Sequence, residues 1–351
     1  VPTRAWASGG TACGAVEPSL MDGFPRHSVL HQTTPLTPML ALSESLGIDL
    51  WFKRDDLAEP SFGGNKSRQL EYYFGAAQSV GADTILITGA VQSNFVRLAA
   101  AVAKSLGMQA VVQLEKRVRV DDQTYQTSGN VFLNQILGAE ILHYPQGEDE
   151  AGADKALYER AEALKAEGRV PYVIPLSEEH PPLGALGYVD AAHEILKEKG
   201  DFDVFVVASG SGATHSGILA GLRGAGSQAT VIGSCVRRDK GLQEARIGRI
   251  MTRLVELYDG AEKVQAKDIV IWDGALAPGY GQIGQVSQAS MQMVAEQEGV
   301  FLDPVYTAKS FAAIPALVED GTISQGARVC YVHTGGLAAL FAYHGMMTDQ
   351  L

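Results

Sequence analysis

From residue 50 onward the chain alternates short apolar runs with longer amphipathic stretches. The apolar runs at Leu50–Lys53, Thr84–Thr88, Gln109–Gln113, Glu140–His143, Tyr172–Pro175, Val204–Ala208, Thr230–Cys235, Ile269–Trp272 and Arg328–Val332 read as strands. Between them, Lys66–Val80, Ser93–Leu106, Lys155–Glu167, Leu186–Lys199 and Gln285–Gln297 have the length and periodicity of helices. Strands alternating with helices predict an α/β fold: open parallel sheets wrapped by helices on both faces. No repeat with a period of tens of residues stands out. At 351 residues the chain exceeds one average domain, so two lobes are expected.

Charge and cysteine content narrow the choice of partner. The formal charge of −12 disfavours nucleic acid or an anionic membrane as partner, since both select basic surfaces. Cys13, Cys235 and Cys330 are scattered and odd in number, which suggests neither a disulfide framework nor a structural zinc. No histidine shows HxH or HExxH spacing, so no metal site is expected. No apolar run approaches the roughly 18 residues needed to cross a bilayer. Val1–Ser19 lacks the charged-then-apolar pattern of a signal peptide and reads as a flexible tail. A reducing cytoplasm fits best.

Ligands in open α/β sheets bind at the carboxyl ends of strands, so the strand-to-helix junctions matter most. Ser61-Phe62-Gly63-Gly64-Asn65-Lys66 places two glycines before a lysine in the first turn of a helix. There the helix dipole disfavours the ammonium form, which suits an amine that condenses with a carbonyl. Taken alone, a solvated lysine beside a glycine turn is the simpler reading.

Ser209-Gly210-Ser211-Gly212-Ala213-Thr214-His215 presents backbone N–H groups, two hydroxyls and a helix N-terminus to one anion. It is neither a Walker loop nor a dinucleotide fingerprint, so a terminal monophosphate suits it better, against the alternative of a tight packing turn. Gln92-Ser93-Asn94 opens another helix and reads either as a cap or as donors for a carboxylate. Thr334, after the last strand, suits an N-cap or a contact with a neutral ring nitrogen. Tyr280 and Tyr306 lie in Pro/Gly loops, where packing is the usual role. No G-x-S-x-G elbow supports a serine hydrolase.

Taken together and in order, these segments resemble the D-cysteine desulfhydrase and 1-aminocyclopropane-1-carboxylate deaminase family, pyridoxal-phosphate enzymes of fold type II. Also similar are Thr34-Pro35-Leu36, Phe52-Lys53-Arg54-Asp55-Asp56, Ser128-Gly129-Asn130, Leu183-Gly184-Ala185-Leu186-Gly187-Tyr188, Ala277–Gly281, Asp303–Thr307 and His333–Tyr343. The likeness runs from about Pro25 to His344.

The resemblance implies that Lys66 carries pyridoxal 5′-phosphate and takes the substrate α-proton. Ser211, Gly212, Ala213 and Thr214 would bind the phosphate, Asn94 the 3′-oxygen, and Thr334 would sit by the pyridine nitrogen, where a hydroxyl favours elimination over transamination. Ser93 would receive the substrate carboxylate, Gln92, Asn94 and Phe95 would border it, and Tyr280 and Tyr306 would line the substrate side, Tyr306 nearest the reacting carbons. A small lobe of 63–177, a large lobe of 1–62 plus 178–351, and a homodimer are implied too.

Within the family the deaminase type resembles Asp-Pro-Val-Tyr-Glu, whereas this chain has Thr307. This favours β-elimination from D-cysteine, giving pyruvate, sulfide and ammonia, over ring opening. Four departures leave the leaving group open. Phe95 stands where His or Gln is common, Gln282-Ile283-Gly284 follows Gly281, Ser177–Pro182 replaces a small loop, and Ala308 replaces glycine. L-cysteate, with sulfite as leaving group, is a competing substrate. A racemase of the same fold and a non-catalytic ligand-binding protein are the remaining alternatives.

Overall fold

The computed structural model describes residues 16–18, 23–118, 120–177 and 180–347. Most of the tail Val1–Ser19, with Cys13, and the loop residues Glu178 and Glu179 lie outside the described residues.

In chain order the strands are β1 (Val16–Pro18), β2 (Pro25–His27), β3 (Leu36–Pro38), β4 (Asp49–Lys53), β5 (Thr84–Ala90) and β6 (Gln109–Glu115), then β7 (Glu140–Tyr144), β8 (Pro171–Ile174), β9 (Val204–Ser209), β10 (Thr230–Cys235), β11 (Val270–Trp272) and β12 (Arg328–Val332). The helices that matter here are α1 (Leu40–Leu46), α2 (Lys66–Ser79), α3 (Asn94–Ser105), α4 (Gln123–Thr127), α5 (Gly129–Ile136), α6 (Glu150–Ala166), α7 (Leu183–Glu198), α8 (Ala213–Gly224), α9 (Lys240–Leu254) and α10 (Gln285–Glu298). All nine strands expected from the apolar runs are present, within a few residues at each end.

They form two sheets. One has the order β11-β10-β9-β12-β4-β3, parallel except for β3; the other has the order β7-β6-β5-β8 and is parallel throughout. Parallel strands need both faces covered, and every residue of β5 is buried. One apolar cluster joins α2, α3, β5 and β6 through Leu70, Phe74, Ile85, Ile87, Val96 and Val112. Another joins α7, α8 and β9 through Leu186, Val189, Ile218, Leu219, Phe205 and Val207. A third fills the opposite face of the six-stranded sheet through Phe52, Val206, Phe311, Ile314 and Tyr331.

Helix α2 touches both sheets, with Tyr73 in the first cluster and Tyr72 in the second. Its close approach to α7 requires a glycine, because a Cβ on Gly187 would lie 2.1 Å from the carbonyl of Arg68. Arg68 then fixes the start of α2. Its buried guanidinium binds Asp55 at 3.0 Å and Glu194 at 2.8 Å, while Lys53 also reaches Glu194 and Thr34 donates to Asp55. The motifs at Thr34, Lys53 and Asp55 are therefore structural: they set the position of the helix that begins at Lys66.

Helix α6 begins five residues before its expected start. Asp149 accepts from the N–H of Gly152 and so caps a helix whose first residue is Glu150.

Candidate active site

Strands β9, β12 and β4 are neighbours, and the loops at their carboxyl ends bring Ser211, Thr334 and Lys66 to one cleft. The second sheet adds the junction after β5, with Ser93, Asn94 and Phe95, and Arg117 after β6. Tyr280 and Tyr306 close a further side. The space is about 860 Å³, its open mouth included.

Lys66 is the first residue of α2, and its ammonium donates to Gln69 at 3.1 Å. Burial, with no carboxylate partner among the described residues, pushes its pKa down from 10.5 to about 8. The ring of Phe95 lies 5.1 Å from the nitrogen. Two glycines make the approach possible: Gly64 at φ 107° has no room for a Cβ, which would meet the Thr334 carbonyl at 2.9 Å.

Opposite lies the turn between β9 and α8. Gly212 adopts φ 101°, and the N–H groups of Ala213, Thr214 and His215 have no protein acceptor among the described residues. A helix start with free donors is an anion site. The Thr214 hydroxyl accepts from Asn65 at 2.8 Å and from Gln69 at 2.9 Å. The helix that carries the amine is thus tied to the anion turn.

The donor set therefore fits one particular group: a monophosphate tail at α8 with a carbonyl facing the amine of Lys66. The described residues hold no cluster suited to a metal ion. A family profile described as "Pyridoxal-phosphate dependent enzyme" matches residues 28–335. The chain belongs to that family. Its cofactor is pyridoxal 5′-phosphate, and it is an enzyme that acts on small amino acids.

The chain is 37% identical over 324 residues to a D-cysteine desulfhydrase of Yersinia pestis, covering 92% of this chain and 96% of that one. A D-cysteine desulfhydrase of Klebsiella pneumoniae is 38% identical over 325 residues, covering 92% and 97%. Among solved structures, one described as an "ACC deaminase homologue" superposes with a TM-score of 0.83 at 33% identity, over 94% of this chain and 97% of that one. Threonine deaminase isoform 2 of Solanum lycopersicum matches at TM-score 0.65 and 15% identity, a likeness of fold alone. The architecture is that of fold type II.

In this pyridoxal-phosphate enzyme the remaining residues fall into distinct places. Ser93 lines the cleft and also caps α3, its oxygen accepting from the N–H of Val96 at 3.3 Å. Asn94 accepts from Asn130 at 2.9 Å, which fixes its carbonyl and turns its NH₂ elsewhere. Thr334 lines the cleft and caps nothing, because the following short helix is capped by Gly336. The Tyr280 and Tyr306 hydroxyls lie 2.5 Å apart. Burial, then the neighbouring Tyr280, holds the Tyr306 phenol well above its usual value.

One expectation needs correcting. The Gln92 side chain is not in the cleft wall: it donates to the carbonyls of Tyr125 and Ser128 and accepts from the N–H of Asn130. Thr307 is fully buried and hydrogen-bonded to Asp303 at 2.7 Å. That aspartate also accepts from the N–H of Tyr306 at 3.0 Å. The Ala213 N–H has no acceptor among the described residues, and its side chain lines a neighbouring cavity.

The sequence reading missed Asn65 and Gln69 on the Thr214 hydroxyl. It also missed Arg117, Glu150 and Arg237 in the cleft wall. The adjacent Arg237-Arg238 pair was a signal of sorts, but basic pairs are usually solvated.

Proposed function

We propose that this enzyme is a lyase that eliminates the β-substituent of a small amino acid, converting D-cysteine to pyruvate, sulfide and ammonia. The observation that carries this reading is a buried amine, with its pKa near 8, facing a free-donor helix start and a hydroxyl pair in one cleft.

Ser93 and Asn94 orient the substrate carboxylate at the start of α3. Lys66 takes the proton from Cα, and its lowered pKa keeps a useful fraction neutral near physiological pH. Asn65 and Gln69 hold Thr214 in place for the phosphate. Pyridoxal phosphate, when bound, supplies the electron sink that acidifies the Cα–H. Thr334, which lines the cleft, would meet the ring nitrogen of the cofactor through its hydroxyl, a contact that would suit elimination. The Tyr280–Tyr306 pair holds a proton at the far side of the cleft, where it can pass to the departing sulfur.

The curated relatives, both D-cysteine desulfhydrases over nearly the whole chain, support this substrate. The solved homologue at 33% identity supports a second reading, ring opening of the cyclopropane amino acid. Purified holoenzyme is offered D-cysteine, L-cysteate and 1-aminocyclopropane-1-carboxylate, and the products are identified. Pyruvate with sulfide from D-cysteine is expected; 2-oxobutyrate from the cyclopropane acid and none from D-cysteine would replace the first reading by the second.

A cytoplasmic homodimer is part of the same proposal, as is the division into lobes at 63–177 and 1–62 plus 178–351. The four-stranded sheet lies wholly within 84–174, which supports that division. Among the described residues no helix is long and apolar enough to cross a membrane.

A further inference from the structure

Lys309 is a buried amine that takes no part in the chemistry above. Burial lowers its pKa from 10.5 to about 8, with no charged group among the described residues opposing the shift. An ammonium in such a place is costly unless its donors are well used. They are spent on one segment: the ammonium donates to the carbonyl of Leu276 at 2.9 Å and to that of Gly279 at 2.6 Å. That segment, 273–284, joins β11 to α10 without regular structure. Among the described residues its internal backbone hydrogen bonds are two, from the N–H of Leu276 to the Asp273 carbonyl and from that of Gln282 to the Gly279 carbonyl. It carries Tyr280, one residue past Gly279.

The other end of this tie is fixed. Lys309 lies on α11 (Thr307–Phe311), about one turn past Tyr306. Ser234 of β10 donates to the Lys309 carbonyl at 3.1 Å, and Tyr331 of β12 donates to the Thr307 carbonyl at 2.7 Å. The contacts therefore close a ring. Helix α11 and the residue before it carry Lys309 and Tyr306, Lys309 holds Gly279, and Tyr280 returns to Tyr306 through hydroxyls 2.5 Å apart. A pair at that separation tolerates little displacement, and a shift of about 1 Å can cost about 10²-fold in rate.

We infer that Lys309 is a positioning residue for the proton step: by gripping the Leu276 and Gly279 carbonyls it keeps Tyr280 against Tyr306, so that the pair can deliver a proton to the departing sulfur. This rests on the β-elimination reading above. In that reaction the Cα proton passes to Lys66, and the Cβ–S bond breaks with its electron pair staying on sulfur. The tyrosine pair gives one proton to the hydrosulfide that leaves and takes one back from water. One further water converts the three-carbon enamine to pyruvate and ammonia. Chloride, the conjugate base of a strong acid, leaves without a proton. The grip of Lys309 therefore matters to a thiol substrate and not to a chloro one.

Pyruvate release by the holoenzyme from D-cysteine and from β-chloro-D-alanine tests it. Lys309→Met should lower kcat for D-cysteine about 10- to 100-fold, the loss expected of a misplaced general acid, and for β-chloro-D-alanine under about threefold. In a Tyr280→Phe background the same replacement should cost D-cysteine turnover under about threefold, because the side chain it positions has already lost its hydroxyl. Lys309→Gln, uncharged and polar, should show the same split and serves if the methionine variant does not fold. Hydrogen exchange gives a reading independent of turnover. In either variant the Leu276 and Gln282 amides should exchange about tenfold faster, with the rest of the chain unchanged.

Equal losses with the two substrates, or a loss in the Tyr280→Phe background as large as in the wild type, overturns the assignment. If the wild-type holoenzyme releases pyruvate from neither substrate, the lyase reading fails instead, and exchange alone decides the tie. Unchanged Leu276 and Gln282 amides then overturn it, and faster exchange upholds it.

Discussion

Replacing Lys66 by methionine should abolish turnover and, in the cofactor-free protein, raise stability. Among the described residues the ammonium of Lys66 has one hydrogen bond, to Gln69, and no carboxylate partner, and burial lowers its pKa from 10.5 to about 8. The unfolded chain then binds more protons than the folded one between those two values, so wild-type stability rises with pH across that window. Below about pH 8 the penalty is complete. At 1.36 kcal/mol per pH unit its ceiling is about 3 kcal/mol. Lys66 keeps partial contact with the open cleft, and the lost Gln69 bond offsets some of the gain, so an increase of about 1–3 kcal/mol is expected at pH 7. Urea denaturation of both apo forms at pH 7 and pH 10 measures it. Methionine should be the more stable at pH 7, with the margin shrinking to under about 1 kcal/mol at pH 10. Equal stabilities at pH 7, or a margin unchanged with pH, would refute the assignment of a desolvated, unpaired amine.

Other consequences follow from the same geometry. Thr214→Val removes the hydroxyl that ties α8 to Asn65 and Gln69, and should weaken pyridoxal-phosphate binding about tenfold by equilibrium dialysis. Tyr306→Phe breaks the hydroxyl pair with Tyr280 and should lower kcat by about 10²–10⁴ with little change in cofactor content, read from steady-state pyruvate release and the bound chromophore. Glu150 is held at a pKa of about 2, where Arg246, Arg237 and Arg238 outweigh the cost of burying it. Its stabilising contribution is therefore present above the ordinary 4.5 and lost as pH falls toward 2. Glu150→Gln should cost about 2–4 kcal/mol at pH 7 by urea denaturation, and the difference from wild type should vanish toward pH 2.

The strands and the three glycine-bearing junctions were legible because their signals are local. An apolar run, a glycine where φ is positive, and a lysine or hydroxyl just inside a helix all lie within a dozen residues of one another. The parts that were missed depend on distant partners. Gln92 sits in a row of candidate donors, yet its amide is consumed by carbonyls more than thirty residues away. Glu150 lies in an acidic stretch that reads as a loop until Asp149 is seen capping α6. Only the tertiary fold then brings it to Arg237, 87 positions later. Thr34, Lys53 and Asp55 carried family likeness without any hint of role, since their work is to seat Arg68 and so Lys66.

The account depends on Lys66 alone carrying the cofactor, although Lys53 and Lys309 are also buried. Lys53 is held by Glu194, and Lys309 donates to the carbonyls of Leu276 and Gly279, so neither amine is available. Borohydride reduction of the holoenzyme followed by peptide mass spectrometry decides between them. A phosphopyridoxyl group on the peptide containing Lys66 is the predicted result. The same group on Lys53 or Lys309, with the Lys66 peptide unmodified, would contradict it.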